Sequence, residues 1–145
     1  MPWNAGLRKV YRWNRPEWVP VDPSDRRTKH TFSAGQCHSL AFALNKLTGW
    51  PLVLLSQDED DPRQWEHCVV QAPDGRFVDI DGAWELGESS WDDLSPIEIG
   101  TCPKDVLYYI RGSMDEVNVP KALPFAKAVL AMHFDSALDE VLLPA

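Results

Sequence analysis

Gly35-Gln36-Cys37-His38-Ser39-Leu40-Ala41-Phe42-Ala43-Leu44 reads as a short turn that runs directly into a helix, with a cysteine in the helix's first turn. Apolar residues recur at Leu40, Ala41, Leu44 and Leu47, the three- and four-residue spacing of a helix with one buried face. Thr48-Gly49 supplies a helix stop and Pro51 follows it. A cysteine at a helix N-terminus sees the positive end of the helix dipole, which favours thiolate over thiol. The backbone N–H of Cys37, orphaned at the helix start, is also a donor that can serve an oxyanion.

Downstream, Pro51-Leu52-Val53-Leu54-Leu55-Ser56 is a short apolar run suited to a buried strand, and the acidic Asp58-Glu59-Asp60-Asp61-Pro62 reads as a solvated loop. Residues 67–82 read as a β-hairpin around Pro73-Asp74-Gly75. The turn length carries the chemistry. If the turn holds three residues, Ala72 faces Arg76, His67 faces Asp81, and Asp79 lies diagonal to His67 on the same face. If Asp74-Gly75 alone makes the turn, the register slips by one and His67 faces away from both aspartates.

A helix-borne cysteine followed by a strand histidine and a strand aspartate can build a nucleophile, a base and an orienter. Cys37 is the candidate nucleophile, His67 the base and Asp79 the acid that fixes the imidazole tautomer, with Asp81 as an alternate acid. Gln36 and Gln57 are candidate side-chain donors to an oxyanion, and Trp50, Trp65 and Trp84 are candidate walls of a substrate cleft. His38 is expected to be exposed or helix-capping, Cys68 to be core, and Cys102 has no partner pattern. Cys37-His38 and His67-Cys68 together offer soft metal ligands. Adjacent residues on one element point in different directions, however, and no Cys-x-x-Cys or His-x-x-x-His spacing is present, so no metal and no cofactor is expected.

These three motifs, Gly35 to Ala41 at a helix start, Glu66-His67-Cys68-Val69-Val70, and Asp79-Ile80-Asp81-Gly82, resemble the core of the papain-like (transglutaminase-like) cysteine hydrolase superfamily, and its compact bacterial and phage members more than the classical proteases. The resemblance covers residues 35–82. It implies an α+β fold in which a cysteine-bearing helix packs on a small, mainly antiparallel sheet, with a nucleophile at Cys37, a base at His67 and an orienting acid at Asp79. Thr31 stands where the classical enzymes carry a glutamine six residues before the cysteine. The implied chemistry is peptidase, deamidase or amidase action through a Cys37 thioester on a protein, a peptide or a small amide. The alternative is a non-catalytic binding, immunity or adaptor module on the same core.

Composition sets the bounds. The chain has 145 residues, 44% hydrophobic and 25% charged, which suits one globular domain. No apolar run reaches the length needed to span a bilayer, and Met1 to Arg8 lacks a signal-peptide stretch, so a cytoplasmic location and no membrane partner are expected. Three cysteines in such a chain argue against a disulfide framework. Net charge is −8, which disfavours nucleic acid as a partner of the whole chain. The first thirty residues nonetheless carry seven basic and three acidic side chains, which leaves a weak case for nucleic acid there.

Residues 1–30 thus read as a basic Trp/Pro-rich arm, extended apart from a short helix near Leu7–Trp13, with Trp3, Trp13 and Trp18 packed on the body. Residues 31–145 read as the single catalytic-type domain, entered by an approach loop at 31–36. A short helix near Ser90–Leu94, capped by Ser90 and ended by Pro96, is expected. Val106 to Ile110 suits a strand or a helix, and the stretch from Pro124 to Leu143 has helical spacing that breaks near Phe134–Ser136.

Overall fold

The computed structural model describes residues 7–12, 15–88, 91–110 and 117–134. Over these the chain is α+β, with four helices and a five-stranded antiparallel sheet. The packing expected for Trp3, Trp13 and Trp18, the Ser90 cap, and any helix beyond Phe134 lie outside what is described.

The N-terminal arm is a β-hairpin, not a helix: strand β1 (Leu7–Arg12) pairs antiparallel with β2 (Arg15–Pro20). Helix α1 (Arg26–Ala34) follows, capped by the Asp25 carboxylate, which accepts from Thr28 N–H at 3.2 Å. This helix replaces the loop expected at 31–36 and carries the chain across the arm–domain boundary at residue 30. Helix α2 (Cys37–Thr48) begins after only Gly35 and Gln36, and it ends where expected, with Gly49 at φ 76°.

Helix α2 is buried on nearly every side, from Cys37 to Asn45, rather than along one face. Its small residues Ser39, Ala41 and Ala43 let other elements approach closely. The sheet lies on one side, and α1 and α4 (Val119–Phe134) lie on the others. Buried Asn45 donates to Trp50 O and Thr101 O at 2.9 and 3.1 Å, so the C-terminal end of α2 is pinned by a satisfied polar group.

The sheet runs β6-β5-β4-β3-β7, with β3 (Leu52–Asp58), β4 (Asp61–Gln71), β5 (Phe77–Asp79), β6 (Gly82–Trp84) and β7 (Ser95–Gly100). The acidic run Asp58 to Asp61 is the tight turn of the β3–β4 hairpin, with Asp58 paired to Asp61, so β4 starts six residues before His67. The β4–β5 turn holds three residues: Ala72 N–H donates to Arg76 O at 2.8 Å, and Val70 faces Val78. This is the register that places His67 and Asp79 on one face, the face that carries Leu55, Val69 and Phe77 and lies away from the body of α2, so Cys37 can meet them only from the start of that helix.

Residues 91–94 form a turn instead of a helix, and Pro96 sits inside the edge strand β7, where its missing N–H costs no ladder bond on the open side. Helix α3 (Pro103–Ile110) settles the stretch around Tyr108 as helical, with Pro103 at its first position. Helix α4 begins five residues before Pro124, capped by Asn118, whose side chain accepts from Lys121 N–H at 3.1 Å. No helix among the described residues is long and apolar enough to cross a membrane.

Two clusters fill the interior. The larger lies between the sheet and the helices and includes Leu40, Leu44, Leu54, Val70, Val129 and Phe134. The smaller covers the other sheet face with Val53, Leu55, Val69, Phe77 and Trp84, closed by Trp91 and Leu94. Gly82 opens β6 at φ 105°, and a Cβ there would run into the His133 ring of α4. Only glycine meets both demands, and its place three residues after Asp79 fixes how the Asp79–Gly82 turn meets α4.

Candidate active site

Three local features bring Cys37, His67 and Asp79 together. Strand β4 is irregular beside His67. Leu55 faces His67 but Ser56 faces Trp65, so Glu66 is an extra residue, a β-bulge that re-aims the side chains next to it. Strand β5 stops at Asp79, which leaves the edge of β4 open at Cys68. Helix α2 packs against β4, and Cys37 at its start is close enough to His67, His38 and the Cys68 backbone N–H for all three to act on its thiol.

The three side chains are almost fully covered, at 2% exposure for Cys37, 0% for His67 and 2% for Asp79. His67 Nε2 lies 2.9 Å from Asp79 Oδ2. An ionised carboxylate only accepts, so Nε2 carries the proton and donates it. Asp79 is held in turn, because its Oδ1 accepts from Asp81 N–H at 2.9 Å. His67 Nδ1 is buried without a closed hydrogen bond. The Cys37 thiol acts on the ring through its charge.

That coupling reverses the ordinary protonation of both groups. Burial pushes the Cys37 thiol up, but the nearby His38 and His67 rings, the imidazolium charge and the Cys68 N–H outweigh it and bring its pKa down to about 6. Burial pushes His67 down, but the hydrogen bond to Asp79 and the nearby Cys37 and Asp79 charges raise its pKa to about 9. These shifts favour a thiolate–imidazolium pair between about pH 6 and about pH 9. The stability this adds through Cys37 is lost as pH falls through about 6, and that added through His67 is lost as pH rises through about 9.

The other candidates sort by position. Asp81 does not reach the imidazole: its carboxylate pairs with Lys29 at 3.3 Å, both half-exposed, and only its backbone serves Asp79. Gln36 occupies the N-cap position of α2 beside Cys37 without a capping bond from its side chain. Its Oε1 accepts from Ser39 Oγ at 2.6 Å, and Ser39 Oγ accepts from Asn118 N–H at 2.9 Å, which ties the starts of α2 and α4. Gln57 is committed elsewhere, donating to the Glu66 carboxylate on an exposed stretch.

Of the tryptophans read as cleft walls, Trp50 is core at the far end of α2 from Cys37, tilted on Phe134 with centroids 5.0 Å apart. Trp84 is core on the second sheet face, against Phe77. Trp65 is half-buried beside the bulge. His38 is buried, edge-on to Phe42, and hydrogen-bonds to Cys37, where an exposed or capping residue was expected. Cys68 is core as expected, and burial and the Cys37 charge push its thiol up.

One contact has no signal in the sequence. Trp91 lies flat on His67, with ring centroids 4.1 Å apart and 10° between the planes. The connection that carries Trp91 has no regular period, so nothing in its spacing points at β4. No family model, no curated protein and no solved structure matches this chain, and the site is therefore read from its own chemistry.

Proposed function

We propose that the chain performs cysteine-dependent acyl chemistry on an amide, as a compact relative of the papain-like (transglutaminase-like) hydrolases. The observation that carries this reading is the burial together of Cys37, His67 and Asp79, with His67 Nε2 2.9 Å from the Asp79 carboxylate and surroundings that favour the thiolate and the imidazolium. A packed cysteine does not need an ion pair, and an ion pair without function is costly to bury.

The Cys37 thiolate attacks the carbonyl carbon and forms a C–S bond. The oxyanion is met by the Cys37 N–H at the start of α2, with the Gln36 amide as the side-chain candidate beside it. His67 gives its Nδ1 proton to the leaving nitrogen as the C–N bond breaks, which leaves a thioester. Water then attacks, His67 Nδ1 takes its proton, and the C–S bond breaks to release the acid and restore the thiolate. Asp79 keeps the ring oriented throughout.

The near-complete cover over Cys37 favours a second reading, a non-catalytic binding or adaptor module that keeps the charged pair as part of its core. An activated acyl ester, p-nitrophenyl acetate, separates the two. The enzyme reading expects a burst of one equivalent of nitrophenolate, an acetyl group on Cys37 by mass spectrometry, and continued turnover. Cys37→Ala should abolish all three. Acetylation no faster than that of a small thiol at the same pH, with no turnover, would favour the binding module. Peptide products, ammonia release or transfer to an added amine would then identify which amide chemistry the site performs.

A further inference from the structure

Strands β6 and β7 lie at opposite edges of the five-stranded sheet, and the described residues of the connection between them are 85–88 and 91–94. Four inter-strand steps span about 19 Å, well within reach of ten residues. The segment crosses the sheet face away from α2, since Trp91 and Leu94 close the cluster of Val53, Leu55, Val69, Phe77 and Trp84. It is anchored by its own turns: Asp92 Oδ1 accepts from Gly87 N–H at 3.0 Å, and Leu94 N–H donates to Trp91 O at 3.1 Å. The result is a strap that delivers one indole ring onto one imidazole.

We propose that Trp91 is a positioning residue for the charged pair: its indole face holds the His67 ring in plane with Asp79 and stabilises the imidazolium by a cation–π contact while keeping water off that face. The inference rests on the reading of Cys37 and His67 as a functional pair and names how that pair is kept charged inside the protein. Its geometry is direct. Stacking at 4.1 Å and 10° leaves the ring little room to tilt out of its 2.9 Å bond to Asp79. Tryptophan is the strongest aromatic partner for a cation, and the contact is worth more when desolvated, as here.

The groups that face His67 are few. Asp79 comes from β5, and the Cys37 thiolate comes from α2 with His38 behind it. From β4, Cys68 faces the other way, and Glu66 is exposed and engaged by Gln57. On the strap, Asp92 is turned to Gly87, and Asp93 is exposed. No cation other than His67 itself is present among these groups, so loss of the stack is not masked by a neighbouring charge.

Two effects of removing Trp91 have opposite signs, which makes the inference testable. If the indole stabilises the imidazolium, Trp91→Leu makes the ion pair harder to form, and the pH at which Cys37 ionises rises. If the indole only excludes water, its removal hydrates both charges, and that pH stays put or falls. The test is the ultraviolet thiolate absorbance of the full chain as a function of pH, with Cys37→Ser subtracted, alongside NMR titration of the His67 ring. Trp91→Leu is expected to raise the Cys37 midpoint by about one pH unit, a roughly tenfold change in the ionisation equilibrium, and to lower that of His67.

Trp91→Phe keeps a weaker face and should shift both midpoints by less. It also carries the test alone, at a smaller shift in the same direction, if the leucine variant does not fold. An unchanged or lower Cys37 midpoint in the variants, with a normal ion pair in the unsubstituted protein, overturns the role of Trp91 and leaves the proposed function standing. Absence of the ion pair from the unsubstituted protein overturns both.

Discussion

Replacing His67 with alanine is expected to return Cys37 to a thiol at neutral pH. The imidazole supplies a hydrogen bond and the opposing charge, and without it the largest remaining influence on Cys37 is burial, which acts upward. His38 and the Cys68 N–H still favour the thiolate. The ionisation midpoint should therefore rise from about 6 to the ordinary thiol value or above. At pH 7 the thiolate population falls by about a hundredfold, and any acyl transfer falls with it.

The same substitution strands the Asp79 carboxylate in the interior, which costs roughly 3–5 kcal/mol when one partner of a buried pair is removed. His67→Gln separates the two effects. A glutamine amide can donate to Asp79 but cannot take a proton, so stability should be largely kept while the thiolate is lost. Thiolate absorbance and thermal unfolding of the two variants provide both readouts.

The second large effect belongs to the scaffold. Phe134, the last described residue of α4, is fully buried, packs tilted against Trp50, and carries the Arg76 guanidinium over its ring at 4.6 Å. It joins the far end of α2 to the β4–β5 turn, the turn whose length sets the register of His67 and Asp79. Phe134→Ala removes a large aromatic side chain from a closed site and is expected to cost about 3–5 kcal/mol. For a chain of this size that is a fall of roughly 10–15 °C in the unfolding midpoint. Calorimetry or circular dichroism measures it. A loss of under 1 kcal/mol would mean that α4 is not the clamp described.

The path from sequence to site was partly legible, and the reasons are local. Helix α2 was readable because its period, Gly49 and Pro51 act within one or two turns. The His67–Asp79 pair was readable because a strand has period two, and the only open question was whether the turn held two residues or three. The structure answers with Ala72 facing Arg76.

What was not legible depends on contacts distant in sequence. Trp50 lies just past the α2 stop, where a wall or a core residue would look alike, and only Phe134 decides that it is core. His38 reads as exposed or helix-capping as long as one helix face is taken to be buried, whereas sheet, α1 and α4 bury nearly all of α2. Pro96 was read as a helix end, because edge position, which makes a strand proline harmless, is a property of the sheet. Trp91 reaches His67 only because its strap crosses the whole sheet, and no local period reports such a crossing.

The measurement that bears most directly on the account is the pH titration of Cys37 in the unsubstituted protein, followed by thiolate absorbance with Cys37→Ser as the blank. The account predicts a midpoint of about 6 and a second, smaller change at about 9, when His67 loses its proton and the pair dissolves. A single midpoint at the ordinary thiol value or above would contradict it, and would leave Cys37 as a buried cysteine beside a structural histidine.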